Sequence, residues 1–228
     1  MGKRIRAFDW IRSALGPMDA WPSTLLSTLN ICLGARFPMA IYWGDEGFLL
    51  YNDAWRPILG DKHPWAIGRA AREVWPEIWQ TINPLFETVR ATGQATWRQD
   101  ELLPMHRFGY REECYFDYSF NPITGQSRSV DGILNIVQET TFRVLNERRT
   151  RLLSELASRS ATAKTVHQAG ELAVAAIATD PADVPFALLC MSESGGVFRV
   201  VASTGLQTGP PPTFPSCLLY TSPSPRDS

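Results

Sequence analysis

Residues 113–121 alternate strictly. Cys114, Phe116, Tyr118 and Phe120 take every second position, with Tyr115, Asp117 and Ser119 between them. A period of two puts one set on one face of a strand and the other set on the opposite face. The large apolar set then needs a partner layer, so the segment requires a sheet with one face buried against helices. Two further strand candidates flank it, Ala95–Leu102 and Val130–Gln138, with short connections that suit antiparallel neighbours.

The rest of the chain supplies the layers. Residues 4–16 carry Ile5, Phe8, Ile11 and Leu15 at helical spacing up to Gly16-Pro17. Residues 22–34 carry Leu25, Leu26, Leu29 and Leu33 between Pro22 and Gly34. The period then changes. Met39–Trp43 and Phe48–Tyr51 read as a hairpin around Gly44-Asp-Glu-Gly47, and Asn52-Asp53 can cap a short helix from Ala54 to Leu59, ended by Gly60. A loop rich in Gly and Pro leads to Val74-Trp75-Pro76. A longer helix over Glu77–Ala91 has the stripe Ile78, Ile82, Leu85, Phe86 and Val89, with Gly93 as its stop and Pro84 expected to kink or divide it. The order strand, strand, helices, strand, strand, strand predicts an α+β domain with an antiparallel sheet. A long helix is expected from Glu139, where Phe142, Leu145, Leu152, Leu156, Ala163 and Val166 fit a heptad seam interrupted by Arg149 and Arg159. The charged run 146–151 reads as a solvated face. A helix over Val166–Ala178 and a hairpin of Phe186–Met191 with Val197–Ala202 around Ser194-Gly-Gly196 complete the pattern.

The last residues, Cys217–Asp227, read as a translated sequencing adapter, a Pro/Ser-rich disordered tail being the other reading of the same composition. On that reading residues 1–216 are natural sequence from the front of a longer protein, and 217–228 add nothing to the fold.

Bulk properties exclude several classes. Hydrophobic residues at 44% and charged residues at 20% are those of a globular chain. A net charge of −1 offers no footprint for nucleic acid. No apolar run reaches the roughly 18 residues of a membrane span, and the basic opening MGKRIRAFDW lacks the apolar core of a secretory signal. Cys32, Cys114, Cys190 and Cys217 form no CxxC pair and read as reduced thiols of a cytoplasmic protein.

Residues 38–141 resemble a PAS domain. The resemblance rests on the strand–turn–strand opening, YNDAW at Tyr51–Trp55, Leu59-Gly60, EVWPE before the connecting helix, Ala91-Thr-Gly93 at its end and GILNIVQETT at the close. The leader LGPMDAWPSTL looks like one that precedes such domains in bacterial sensor histidine kinases, and the segment from about residue 165 looks like the opening of a GAF domain. The implied organisation is a helical leader (1–37), the PAS domain (38–141), a signalling helix (142–164), a truncated GAF-like segment (165–216) and the tail (217–228). The implied function is sensory input of a two-component histidine kinase. The input region of a cyclic-dinucleotide cyclase or transcriptional regulator, and a dimerisation module without ligand, stay open beside it. The fragment itself is expected to have no enzyme activity.

In such domains the inner sheet face and the connecting helix hold ligands, so Cys114, Phe116, Tyr118 and Phe120 are the candidate pocket residues, with plain core packing as the competing account. No metal site and no cofactor are expected. The connecting helix has no histidine for haem, and His63, His106 and His167 lie elsewhere, His63 in a polar loop that reads as surface. The Asn52–Arg56 segment lacks the cysteine of light-sensing flavin domains. There is no GxGxxG, P-loop or HExxH. His167 lacks phosphoacceptor surroundings, and Trp43, Trp55, Trp75 and Trp79 read as packing residues. The expected partner is a second copy, paired through the helix after Glu139.

Overall fold

A computed structural model describes residues 1–125, 129–192, 197–206 and 214–215. It divides into two units, Met1–Val144 and Leu145–Ser228. The Ser194–Gly196 turn and the 217–228 tail lie outside the described residues.

The first unit is α+β. Its strands are β1 (Met39–Trp43), β2 (Phe48–Tyr51), β3 (Thr96–His106), β4 (Arg111–Thr124) and β5 (Val130–Glu139). They form one antiparallel sheet in the order β2-β1-β5-β4-β3. The predicted alternation of β4 holds, with Cys114, Phe116, Tyr118 and Phe120 buried and the residues between them more open. Opposed residues share a face, so Tyr42 and Ile133, Tyr118 and Val137, and Phe120 and Asn135 line one side.

The helices are α1 (Gly2–Ala7), α2 (Ser23–Gly34), α3 (Arg56–Leu59), α4 (Ala71–Val74) and α5 (Trp79–Thr92). α5 lies against β3, β4 and β5. Its buried stripe is Ile82, Leu85, Phe86 and Val89, and Phe86 meets Phe120 and Tyr42 at ring-centroid distances of 4.6 and 4.9 Å. Gly93 closes α5 in the left-handed conformation (φ 65°), where a Cβ would be strained. α2 packs on β1 and β2, and Ile5, Trp10, Trp21, Leu25, Leu29 and Cys32 join the same core as the sheet.

Several expectations are corrected. No single helix covers 4–16. The chain leaves the helix at Phe8 (φ −76°, ψ 142°), and the Trp10 indole N–H donates at 2.7 Å to the Ile5 carbonyl that Asp9 N–H would otherwise use. Burying Trp10 decides the path and leaves Ile11 exposed. The loop before Val74 contains α4 and a 3₁₀ turn at Gly60–Lys62. Pro84 does not divide α5, because it and Gln80, whose carbonyl loses its donor, lie on the exposed side where water can serve. β3 and β4 run longer than predicted. Pro104 is tolerated because β3 is an edge strand, and Pro122 because β4 there has passed beyond its pairing with β3.

α6 (Thr141–Ser160) starts in the first unit and continues into the second. It ends before Ala163. Thr162 and Ala163 turn back on Arg159 and Ser160, and Thr165 opens α7 (Val166–Ile177) by accepting from Gln168 N–H at 3.1 Å. Ala163 and Val166 therefore leave the expected seam. In the second unit the charged run is not simply solvated. Arg148 pairs with Asp183 at 2.6 Å and lies 3.6 Å from Asp180, and Arg149 lies 3.5 Å from Asp183. These charges hold the carboxyl of Asp183 below its usual range, and Arg148 dominates. β6 (Ala187–Ser192) and β7 (Val197–Thr204) pair antiparallel, with the two-residue β8 (Phe214–Pro215) beyond β7.

Candidate functional site

The inner face of the sheet, α5 and the α3–α4 region enclose a cavity of about 30 Å³. Its aromatic wall is Tyr42, Trp55, Trp75, Phe116, Tyr118 and Phe120, completed by aliphatic side chains and by Asn135. Of the residues singled out from sequence, Phe116, Tyr118 and Phe120 thus come together on the cavity. Cys114 is on the same face but not in the lining. Its Sγ lies 3.2 Å from Arg107 Nη2, and burial raises its thiol pKa to about 11.

Local chemistry sets each wall. Asn52 is buried and fully used. Its Nδ2 donates to the carbonyls of Ala35 (3.2 Å) and Phe37 (2.7 Å), and its Oδ1 accepts from the N–H of Met39 (3.2 Å) and Trp55 (3.1 Å). One side chain therefore joins the segment after α2, the start of β1 and the cap that seats Trp55. Trp75 Nε1 donates to Tyr42 Oη at 2.9 Å, and burial pushes the Tyr42 hydroxyl pKa far upward. Lys62 packs on the Trp75 ring 4.6 Å from its centroid, donates to Val74 O and pairs with Glu77. Tyr118 donates to Glu101, and burial together with that carboxylate raises the phenol pKa.

Two polar atoms of the lining residues have no protein partner among the described residues, Trp55 Nε1 and Asn135 Oδ1. Trp55 is 2% exposed and Asn135 5%. An unpaired buried donor or acceptor costs about 1–3 kcal/mol. Asn135 is legible in GILNIVQE as a polar residue at an inward position of β5. Tyr42 and Trp75 had no such signal, because their roles depend on a contact across 33 residues.

The far end of the same strands is clamped. Arg107, at 8% exposed, pairs with Glu112 (2.9 Å) and with Glu139 (2.8 Å), the last residue of β5. Gly60 (φ 55°) lies so close to the Arg107 backbone that a Cβ would overlap it, and Asp61 N–H donates to the Arg107 carbonyl at 2.8 Å. The first turn of α6 is tied to β4 by Thr140 N–H to Tyr115 O (2.8 Å) and Tyr115 N–H to Thr141 Oγ1 (2.9 Å). It is tied to β3 by Arg143 with Asp100. Asp100 sits in the β3 bulge with a positive φ of 47°, held by its N–H to Asp117 Oδ1 at 2.8 Å.

Among the described residues no histidine lines the cavity. His63 is not simply a surface residue: its Nδ1 lies 2.8 Å from the buried Tyr51 hydroxyl, with the rings edge to face. Among the described residues no group of three potential metal-ligating side chains comes together, and no helix is long and apolar enough to cross a membrane.

No protein-family model matches the sequence. Similar solved structures include PAS domains. One is the PAS domain of BvgS from Bordetella pertussis, 18% identical, covering 59% of this chain and 98% of that one, with a TM-score of 0.45. Another is the PAS domain of a protein from Colwellia psychrerythraea, at 16%, 51%, 97% and 0.41. A third is a sensory box sensor histidine kinase from Vibrio cholerae, at 16%, 50%, 86% and 0.34.

Proposed function

We propose that residues 38–141 are a PAS-type sensory module that relays a signal from its cavity to α6, as input to a bacterial histidine kinase. The observation that carries this reading is the path of β5. Within one strand the chain passes from Asn135 and Val137 on the cavity to Glu139 under the Arg107 clamp, and α6 begins two residues later. Tyr115 and Asp117, which hold α6 and the Asp100 bulge, flank the cavity residue Phe116. A change in the cavity that shifts β4 against β5 must therefore act on the first turn of the helix. The kinase as output is supported by the leader motif. The helix α7 followed by the β6–β7 hairpin supports a GAF-like segment over 165–216.

The test is hydrogen exchange on Phe116→Leu in the full chain. A shorter side chain in the cavity wall should raise exchange several-fold at Val144 and the amides of the next helical turn, where Val144 N–H bonds to Thr140 O. Altered exchange in β4 with none in α6 would overturn the relay.

Pairing of two chains through α6 belongs to the same proposal. α6 has no buried residue within the single chain: Phe142 is 80% exposed, and Leu145, Leu152 and Leu156 of the seam are half-buried.

A further inference from the structure

We infer that the cavity takes a neutral molecule of a few non-hydrogen atoms that presents a carbonyl-type acceptor to Trp55 Nε1. This rests on the sensory reading of the cavity and adds the chemistry of what fills it. Three observations carry it.

The first is charge. Among the described residues no Lys, Arg, His, Asp or Glu lines the cavity. An ionic ligand would lose its hydration with no opposite charge to meet it.

The second is hydrogen bonding. Trp55 Nε1–H can only donate, so whatever meets it must accept. Asn135 sharpens the requirement. Tyr42 Oη already accepts from Trp75 at 2.9 Å, and the Asn135 amide is a second polar neighbour of the same hydroxyl. A phenol in that position has one proton to give. Turning the amide over places Oδ1 on that proton and leaves the NH₂ without a protein partner, and amide orientation is decided by such networks. In that arrangement two donors serve the cavity, Trp55 Nε1–H and Asn135 Nδ2–H. In the other, the occupant accepts from Trp55 and donates to Asn135 Oδ1. A primary amide satisfies both arrangements; a hydrocarbon satisfies neither.

The third is size. The cavity's 30 Å³ is well below the roughly 150 Å³ that admits a benzene ring. The ceiling on affinity per atom then places binding of a three-atom ligand in about the millimolar range.

The probe is formamide, with xenon as an apolar occupant that has no acceptor. The full chain is labelled with ¹⁵N, and the Trp55 indole resonance is identified by its loss in Trp55→Phe. Titration of formamide to about 100 mM should move that resonance and the Asn135 side-chain amide along saturating curves. The other tryptophan indoles should not saturate with them, and Asn135→Ala should weaken the response. Xenon should leave the Trp55 resonance in place. Saturation by xenon and not by formamide would assign the cavity to an apolar occupant and overturn the inference. A long-lived water on the Trp55 indole proton that formamide does not displace would overturn it as well. Either failure leaves the relay reading intact, because that is decided by exchange in α6 of Phe116→Leu with no ligand added.

Discussion

His63 shows how a single side chain changes meaning between sequence and structure. In the sequence it sits in Asp61-Lys-His-Pro64 and reads as a loop residue; in the fold it bonds Tyr51. Burial first, then the positive charges of Arg56 and Arg4, hold its imidazole below the ordinary 6.5, with Asp53 opposing. The folded state therefore resists a proton that the unfolded chain accepts. Stability from this site is full above pH 6.5 and is lost as pH falls from there toward the folded value. Urea midpoints should drop between pH 7.5 and 5.5, and drop less in His63→Gln. Equal slopes in the two proteins would remove His63 as the source. The buried cysteines behave differently. Burial raises the pKa of Cys32 to about 12 and of Cys114 to about 11, so both stay thiols at neutral pH and act as small packing groups.

At the scale of elements, Arg107 is the joint between the sheet and α6. It is nearly buried, while Glu139 keeps a side-chain exposure of 31%, so part of that interaction is screened. Arg107→Ala leaves Glu112 and Glu139 without their partner close to the core, and should cost about 2–3 kcal/mol in chemical denaturation. The more telling readout is local. Exchange should rise in the first turn of α6 before it rises in β1 or β2. A purely global loss of stability would show that the clamp is structural and does not position the helix. Its parts were poorly legible in advance. His106 and Arg107 fall beyond the predicted end of β3, because Leu103 and Met105 extend the strand only once β4 is there to pair with it. α6 shows the converse. Its start was legible in Glu139–Thr141, but its end was not, since Ala163 and Val166 continued the heptad in sequence while the Thr165 cap began a new helix.

For the whole molecule the question is what covers α6. The seam that remains on this helix is Phe142, Leu145, Leu152 and Leu156, with Arg149 drawn to Asp183 and Arg159 to Glu155. Such a seam should hold a dimer of about micromolar strength. Sedimentation equilibrium of the full chain should show self-association that Leu152→Asp plus Leu156→Asp abolishes; a dimer that survives the pair of substitutions lies elsewhere. What the sequence determined by itself is the local part of this protein. The alternation of β4, the stripe of α5, the β1–β2 hairpin and the Asn52 cap depend on neighbours a few residues apart, and all four stand in the structure. Tertiary structure decided what depends on distant partners. The burial of Trp10 against Trp21 and Gly68 overrode a helical stripe, the strand order brought Asn135 beside Tyr42, and the pairing of β3 with β4 and of β4 with β5 placed Arg107 over Glu139. Side-chain periodicity reports which face is apolar, but only the three-dimensional pairing of strands decides which polar group that face encloses, and so what the cavity can bind.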